Sequence, residues 1–326
     1  MHCENISAGK PIISRLEYQR PFDFAGLLAF FRGRALSGVE LVDDVSYMRS
    51  VRMADREGKA CEGLFRVTDD EDSGSLLLEM SSSLEPVSEE IEKRVRYMFD
   101  LDCDPAAVEA AIAPLREAIP GISIGSVRVP GAFEPFEIAC RAVLGQQVSV
   151  QAANKFAERI VKEFGDEVRI EGFPEPSDGT CRYPNRVWPT PDRILAIEDI
   201  QGAFGSLGVI GNRSRVIAEI ARMVEEGELE LTPFAYSGEE PEGRVGHAVM
   251  QMERLLAVKG IGPWTANYMA MRALGHPDAF LEKDVGVIHA LPDMEPKERL
   301  EAVEDCRPYR SYAVLALWNN VGSAAD

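Results

Sequence analysis

Residues 258–268, VKGIGPWTANY, put two glycines and a proline into four positions (Gly260, Gly262 and Pro263), between the helical stretches MERLLAV and WTANYMAMRAL. The start of a helix has unsatisfied N–H groups and a partial positive charge. Glycines just before it let a phosphate come close to the backbone. A helix–Gly-Ile-Gly–helix unit is therefore able to clamp a phosphate with no basic side chain. It is equally able to be a tight turn between packed helices, since glycine is a common C-cap. A second candidate is Asp284, between the apolar runs AFL and VGVI of DAFLEKDVGVIHAL (278–291). A carboxylate there can cap a helix or stabilise a developing cation. Aromatic residues are the third. Trp264 and Tyr268 are four apart and share a helix face, and Trp318 lies in RSYAVLALWNN. Such aromatics usually fill a core; with a carboxylate beside them they can also form a pocket that stacks a flat base.

These residues need a scaffold, and 326 residues leave room for about two domains. RLEYQRP (15–21) alternates weakly, and FDFAGLLAFFRGRAL (22–36) has helical periodicity with Asp23 as its cap. VSYMRSVRMA, CEGLFRVTD and SLLLEMSSS then read as three strands, separated by turns that contain DREGK and DDEDSG. From residue 86 the chain reads helical. PVSEEIEKRVRYMFDL and DPAAVEAAIAPLREAI open on Pro86 and on Asp104-Pro105, as helix starts favour. Residues 133–165 read as two helices broken near Gly145, and TPDRILAI (190–197) and SRVIAEIARMVEEG (214–227) follow. The Pro- and Gly-rich stretch 171–191 reads as a long loop. The expected fold is α+β: an antiparallel sheet-and-helix domain over residues 1–101, then an all-α bundle over 102–326.

Composition narrows the function. No apolar run is long enough to span a membrane, and the first twenty residues lack the apolar core of a signal peptide. Six scattered cysteines form no CxxC pair, which disfavours a zinc site or an iron–sulfur cluster and fits a reduced cytoplasm. The net charge of −19 argues against a polyanion partner, although one face of the chain can still be positive. Acids gather at 69–74, 225–230 and 238–243, where solvated loops are expected. Of the 35 basic residues only eight are lysine.

Taken together, LLAVKGIGPWTANYMAMRALG, AFLEKD and RPYRSYAVLALW, in that order and spacing, resemble the helix–hairpin–helix, Gly/Pro-rich loop, aspartate superfamily of DNA base-excision glycosylases. Within it they look most like the bacterial 3-methyladenine DNA glycosylase II branch. AVLGQQVSVQAANKFAERI (142–160) is similar to the family segment that enters the minor groove, and the likeness runs over residues 15–322. The resemblance implies two helical lobes with the active site between them. It implies Asp284 as the catalytic carboxylate, and a base pocket of Trp264, Tyr268 and Trp318 joined by Phe30. DNA contacts are implied for Gly260, Ile261, Gly262, Lys259, Thr265, Gln146, Gln147 and Arg310, with Gln147 wedging into the gap left by a flipped base. Lys155, Lys259, Arg272 and Arg310 are expected to supply a locally basic face. A sodium or potassium ion on hairpin carbonyls near Val258 and Gly260 is implied, with no side-chain metal ligand and no other cofactor.

Members with lyase activity carry a lysine two residues after the second hairpin glycine. Trp264 stands there, which implies a monofunctional hydrolase. Its implied substrate is damaged double-stranded DNA carrying alkylated purines of the 3-methyladenine and 7-methylguanine type. Its product is an abasic site for an AP endonuclease. A monomer in the cytoplasm, at the nucleoid, is expected. Asp284 would stabilise the oxocarbenium ion, orient the attacking water, or both. Val285 and Asn319 stand where relatives place aromatics, which opens the pocket and leaves the target base undecided. Three other readings stay open. A missing lysine speaks against an 8-oxoguanine glycosylase. Asp284 speaks against a non-catalytic DNA-binding or damage-sensing protein. The acidic charge favours a plain helical scaffold.

Overall fold

A computed structural model describes residues 10–173, 183–233 and 241–323. Five strands, β1 (Ile12–Glu17), β2 (Glu40–Val42), β3 (Ser46–Ala54), β4 (Ala60–Asp70) and β5 (Ser75–Met80), form one antiparallel sheet in the order β1-β5-β4-β3-β2. β1 starts three residues before the alternating stretch seen in the sequence, and β2 was not foreseen. Three residues are too few to display a period of two.

One face of the sheet packs Tyr47, Phe65, Leu78 and Met80 beneath α1 (Phe24–Arg32) and α2 (Ser88–Met98). On the other face Met48 and Leu64 meet Phe173. Burial on both faces is why β3 shows no clean alternation. Asp23 caps α1 as expected, its Oδ1 accepting the Gly26 N–H at 2.8 Å. The described far flank of the 171–191 stretch is fastened beside the sheet: Asn185 and Arg186 donate N–H to the Gly38 carbonyl at 2.9 and 2.8 Å, and the Arg186 carbonyl accepts from the Ser50 hydroxyl of β3. The middle of that stretch lies outside the described residues.

The helical half comprises α3 (Pro105–Ile112), α4 (Leu115–Ala118), α5 (Pro135–Leu144), α6 (Val150–Phe164), α7 (Pro191–Leu195), α8 (Ile200–Ser206), α9 (Arg213–Glu225), α10 (Pro241–Ala257), α11 (Pro263–Arg272), α12 (Val285–Ala290), α13 (Pro296–Ala302) and α14 (Arg310–Ser323). Proline at the first position of α3, α5, α7, α11 and α13 sets the starting φ and removes an N–H that has no intrahelical partner. α5 is buried along almost its whole length, including Glu137. Leu36 and Val39, from the connection after α1, enter the helical core, whereas Phe133 enters the sheet core. The two halves therefore meet along an interdigitated seam.

Several expected solvated acids have arginine partners. Arg15 pairs with Asp70 in the 69–74 turn, and Arg222 pairs with Glu226 and Glu228. The third acidic stretch, 238–243, lies partly outside the described residues. Among the described residues no helix is long and apolar enough to cross a membrane.

Candidate active site

A cleft of about 1050 Å³ opens where α5, α11 and α12 face the N-terminal half. Asp284 lies on its wall, immediately before α12. Its Oδ1 accepts the N–H groups of Gly286 (2.8 Å) and Val287 (3.4 Å), so the helix cap is present. The same oxygen accepts the indole N–H of Trp318 at 2.7 Å, and Oδ2 accepts that of Trp264 at 2.9 Å. Among the described residues no lysine or arginine forms an ion pair with this carboxylate. Four neutral N–H groups hold it in place and leave its charge uncancelled. The two tryptophans thus orient the acid as well as offering ring faces.

Gly286 makes this arrangement fit. A Cβ there would lie 2.5 Å from Trp318 Cδ1 and 3.2 Å from Asp284 Oδ1. Sequence reading missed Gly286, although a glycine two residues after a capping aspartate was the available signal.

Tyr268 stacks on Trp264, with centroids 5.3 Å apart and 18° between the planes. Phe30 stacks on Trp318 at 6.4 Å and 13°, and acts through that ring while its neighbour Phe31 lines the cleft. Val285 is 65% exposed at the mouth, so the side chain after Asp284 leaves the pocket open.

The back of the pocket holds cations that sequence reading did not place there. Arg34 has its guanidinium carbon 3.8 Å from the Phe30 centroid, and Arg272 has its own at 4.8 Å. Arg272 donates to the Tyr268 hydroxyl at 2.9 Å and to the carbonyls of Pro130 and Gly131. It is buried, which corrects its expected place on a basic outer face. Burial alone would raise the Tyr268 phenol, but Arg272, Arg34 and Arg141 outweigh it and hold the group below its usual range. Burial, with Arg272 and Arg141 adding to it, lowers the Arg34 guanidinium, and Tyr268 partly offsets this. Deeper still, Glu137 is paired with both Arg49 and Arg141.

At the mouth the connection between α5 and α6 meets the hairpin between α10 and α11. Gln147 is exposed and left-handed, with φ 58°. Gln146 beside it turns inward, its Nε2 donating to the Gly260 carbonyl (2.9 Å) and to Thr265 Oγ1 (3.0 Å). Thr265 is buried, so its hydroxyl is committed to Gln146. Ile261 is a core anchor, and its N–H is already donated to the Val258 carbonyl at 3.0 Å. That leaves the amides of Gly262, Trp264 and Thr265 at the start of α11 without intrahelical acceptors. Lys259 and Lys155 are exposed. Arg310 does not join them: Asp278 holds it in a two-oxygen pair at 2.8 and 2.9 Å, and its side chain is 13% exposed.

The two hairpin glycines differ. A Cβ at Gly260 would meet Asn212 Nδ2 at 2.6 Å and Val216 Cγ2 at 2.7 Å, and its φ is +112°. A Cβ at Gly262 would meet nothing within 4 Å. Internal packing therefore explains the first glycine and leaves the second unexplained. The carbonyls of Val258, Lys259 and Gly260 accept from Ile261 N–H, Asn212 Nδ2 and Gln146 Nε2. Two of these three carbonyls are turned to side-chain amides, whose partial positive charge opposes a cation resident on them.

Comparison with known proteins agrees with this architecture. The model of the AlkA N-terminal domain matches residues 13–134, and that of the HhH-GPD superfamily base excision DNA repair protein matches residues 140–304. The chain is 34% identical to DNA-3-methyladenine glycosylase 2 of Escherichia coli over 95% of its length and 98% of that protein. It is 32% identical to DNA-3-methyladenine glycosylase of Bacillus subtilis over 71% of its length and 72% of that protein. The solved 3-methyladenine DNA-glycosylase of Archaeoglobus fulgidus shares the fold, with a TM-score of 0.70 at 21% identity over 94% of this chain and 97% of that one. A sheet domain joined to a hairpin-bearing helical domain, matched along nearly the whole of both chains, places this protein in the HhH-GPD superfamily of base excision DNA repair proteins, with an N-terminal domain of the AlkA type.

Proposed function

We propose that the protein is a monofunctional DNA glycosylase that hydrolyses the N-glycosidic bond of alkylated purines, of the 3-methyladenine and 7-methylguanine type, and leaves an abasic site. The observation that carries this reading is the Asp284 carboxylate, held by four neutral donors on the wall of an aromatic cleft. Bond cleavage leaves positive charge on the sugar. An oriented, uncancelled carboxylate stabilises that charge, and a water held against it completes the hydrolysis. Gln147 fills the gap in the duplex, which offsets part of the few kcal/mol that flipping costs. The open amides of α11, with Lys259 three residues before them, receive the phosphates, and the exposed Lys155 of α6 adds positive charge. Residues 1–101 supply the Phe30 and Arg34 side of the pocket, and residues 102–326 supply the acid, the wedge and the clamp.

Hydrolysis without lyase chemistry rests on Trp264, where lyase members carry an amine. Lys283 lines the cleft, so the point needs a direct test. Borohydride should trap no enzyme–DNA adduct on abasic-site DNA; an adduct lost in Lys283→Ala would overturn the monofunctional reading. The defining experiment is base release from alkylated duplex DNA by wild type and by Asp284→Asn. Release by wild type and none by the variant is expected, and equal release by both would sink the assignment.

A second substrate reading has its own support. Arg34 and Arg272 have no carboxylate partner among the described residues, and Arg34 lines the cleft. Guanidinium groups repel a cationic base but donate well to the carbonyl edge of a neutral one. Comparing release of a neutral oxo-purine with that of 7-methylguanine, in wild type and Arg34→Ala, separates the two classes. We assign the protein to the nucleoid as a monomer, with its product passing to an AP endonuclease.

A further inference from the structure

The start of α9 is tied to both DNA-facing loops. Asn212 Nδ2 donates to the Lys259 carbonyl at 3.0 Å. Arg213 Nη2 donates to the Gln146 carbonyl at 2.5 Å. Gln146 Nε2 in turn reaches the Gly260 carbonyl and Thr265 Oγ1. These bonds close a circuit from α9 through the wedge turn to the hairpin and back to α9. Gly260 permits it, because any side chain there would strike Asn212 and Val216. Gln147 follows directly on a residue fixed by both its backbone carbonyl and its side chain.

Hairpin carbonyls left bare beside a phosphate would repel it, since both carry negative charge. A monovalent cation can offset that repulsion. Here the carbonyls of Lys259 and Gly260 each carry the NH₂ group of a side-chain amide, and a cation drawn to them would meet that partial positive charge.

We propose that Asn212, Arg213 and Gln146 form a brace that takes the place of a cation at the hairpin and registers the Gln147 wedge against the phosphate clamp. These are positioning residues, and their role rests on the wedge-and-clamp reading above. Two consequences follow. DNA binding by the wild type is indifferent to the identity of the monovalent cation. Removing the amides exposes the carbonyls and creates a cation dependence that the wild type lacks.

The test uses the full chain and duplex DNA with an abasic-site analogue. Affinity is measured at one ionic strength in sodium, potassium and tetramethylammonium chloride. Wild type should vary by less than about twofold. Gln146→Ala/Asn212→Ala, shown by its melting transition to be folded, should bind about fivefold or more weakly in tetramethylammonium than in sodium or potassium, the scale of one or two hydrogen bonds. Single-turnover base release by Gln146→Ala and Arg213→Ala should each fall, and their double variant should fall little further, because either change opens the same circuit. A wild type that weakens fivefold in tetramethylammonium, a cation-indifferent double variant, or fully additive losses of release would each overturn the brace. Gly262→Ala reports on the clamp separately. Its methyl meets no protein atom, so it should weaken binding in every salt alike. Unchanged affinity there would remove the clamp reading and the brace with it.

Discussion

Two of the carboxylates that line the cleft are held in opposite ways. Asp284 is surrounded by neutral N–H donors, two from the backbone of its own helix and two from indoles. Glu137 is surrounded by guanidinium groups, Arg49 from β3 and Arg141 one turn further along α5. Burial would raise the Glu137 carboxyl, but the two arginines outweigh it and hold it below the usual carboxylate range. A carboxylate neutralised by cations has little field left for a third charge. One fixed by neutral dipoles keeps its charge and its direction, which is what stabilising a developing cation requires. Position in one cleft therefore does not assign both acids to chemistry. Glu137 ties the sheet to the helical half, and Asp284 faces the reaction.

The contrast breaks most sharply at Asp284. Asn keeps the cap and one indole bond but removes the charge. Base release should fall by about a thousandfold or more, while affinity for abasic-site DNA changes by less than about tenfold, because phosphate contacts dominate binding. Single-turnover release and a binding titration measure the two separately. At Glu137 the pattern should reverse. Glu137→Ala leaves Arg49 and Arg141 buried with Glu40 as their shared carboxylate, and denaturant unfolding should report a loss of about 3 kcal/mol. The residual folded fraction should release base at close to the wild-type rate. A catalytic loss without a loss of stability would show that Glu137 belongs to the chemistry.

A third carboxylate, half-buried, sharpens the comparison. Asp100 accepts the Val129 N–H at 3.0 Å and the Tyr312 hydroxyl at 3.3 Å, and has no ion pair among the described residues. Burial pushes it up to about 7, against smaller opposing effects of the Val129 N–H and Arg128. A carboxyl raised on folding favours the protonated folded state. Its contribution is complete below about pH 4 and is lost as pH rises through 7. Stability should therefore fall by about 2 kcal/mol between pH 5 and pH 7, at up to about 1.4 kcal/mol per pH unit. Asp100→Asn tolerates the left-handed backbone (φ 54°) and should flatten that slope. Melting curves across the window test it, and an unchanged slope in the variant would place the titration elsewhere.

The smallest expected effect concerns the indoles. Trp318→Phe keeps a ring against Phe30 and deletes only the N–H on Asp284 Oδ1. Base release should fall by about tenfold, the scale of one hydrogen bond to a charged group. No change would mean that the backbone donors alone orient the acid.

Local features of this protein were legible because their causes lie within a few residues. The strands over 46–80, the cap at Asp23, the break at Gly145, the hairpin glycines and an acid at the head of an apolar helix each follow from φ preferences, capping or periodicity. The family resemblance added roles to those positions. Pairings across the fold were not legible. Arg310 and Arg272 looked like surface cations, yet Asp278 lies 32 positions from the first and the Pro130 carbonyl 142 positions from the second. Gln146 and Gln147 are adjacent and identical, yet one turns into the hairpin and the other out to solvent. Gly260 and Gly262 look interchangeable, and the approach of α9 together with the positive φ at Gly260 distinguishes them. The sequence by itself determined most of the elements, the hairpin and the acid, because backbone geometry answers to near neighbours. Tertiary structure alone decided which charges are cancelled, which stay available and which loops are braced. Those outcomes depend on what distant segments bring within about 3 Å of a polar atom, the range over which hydrogen bonds act.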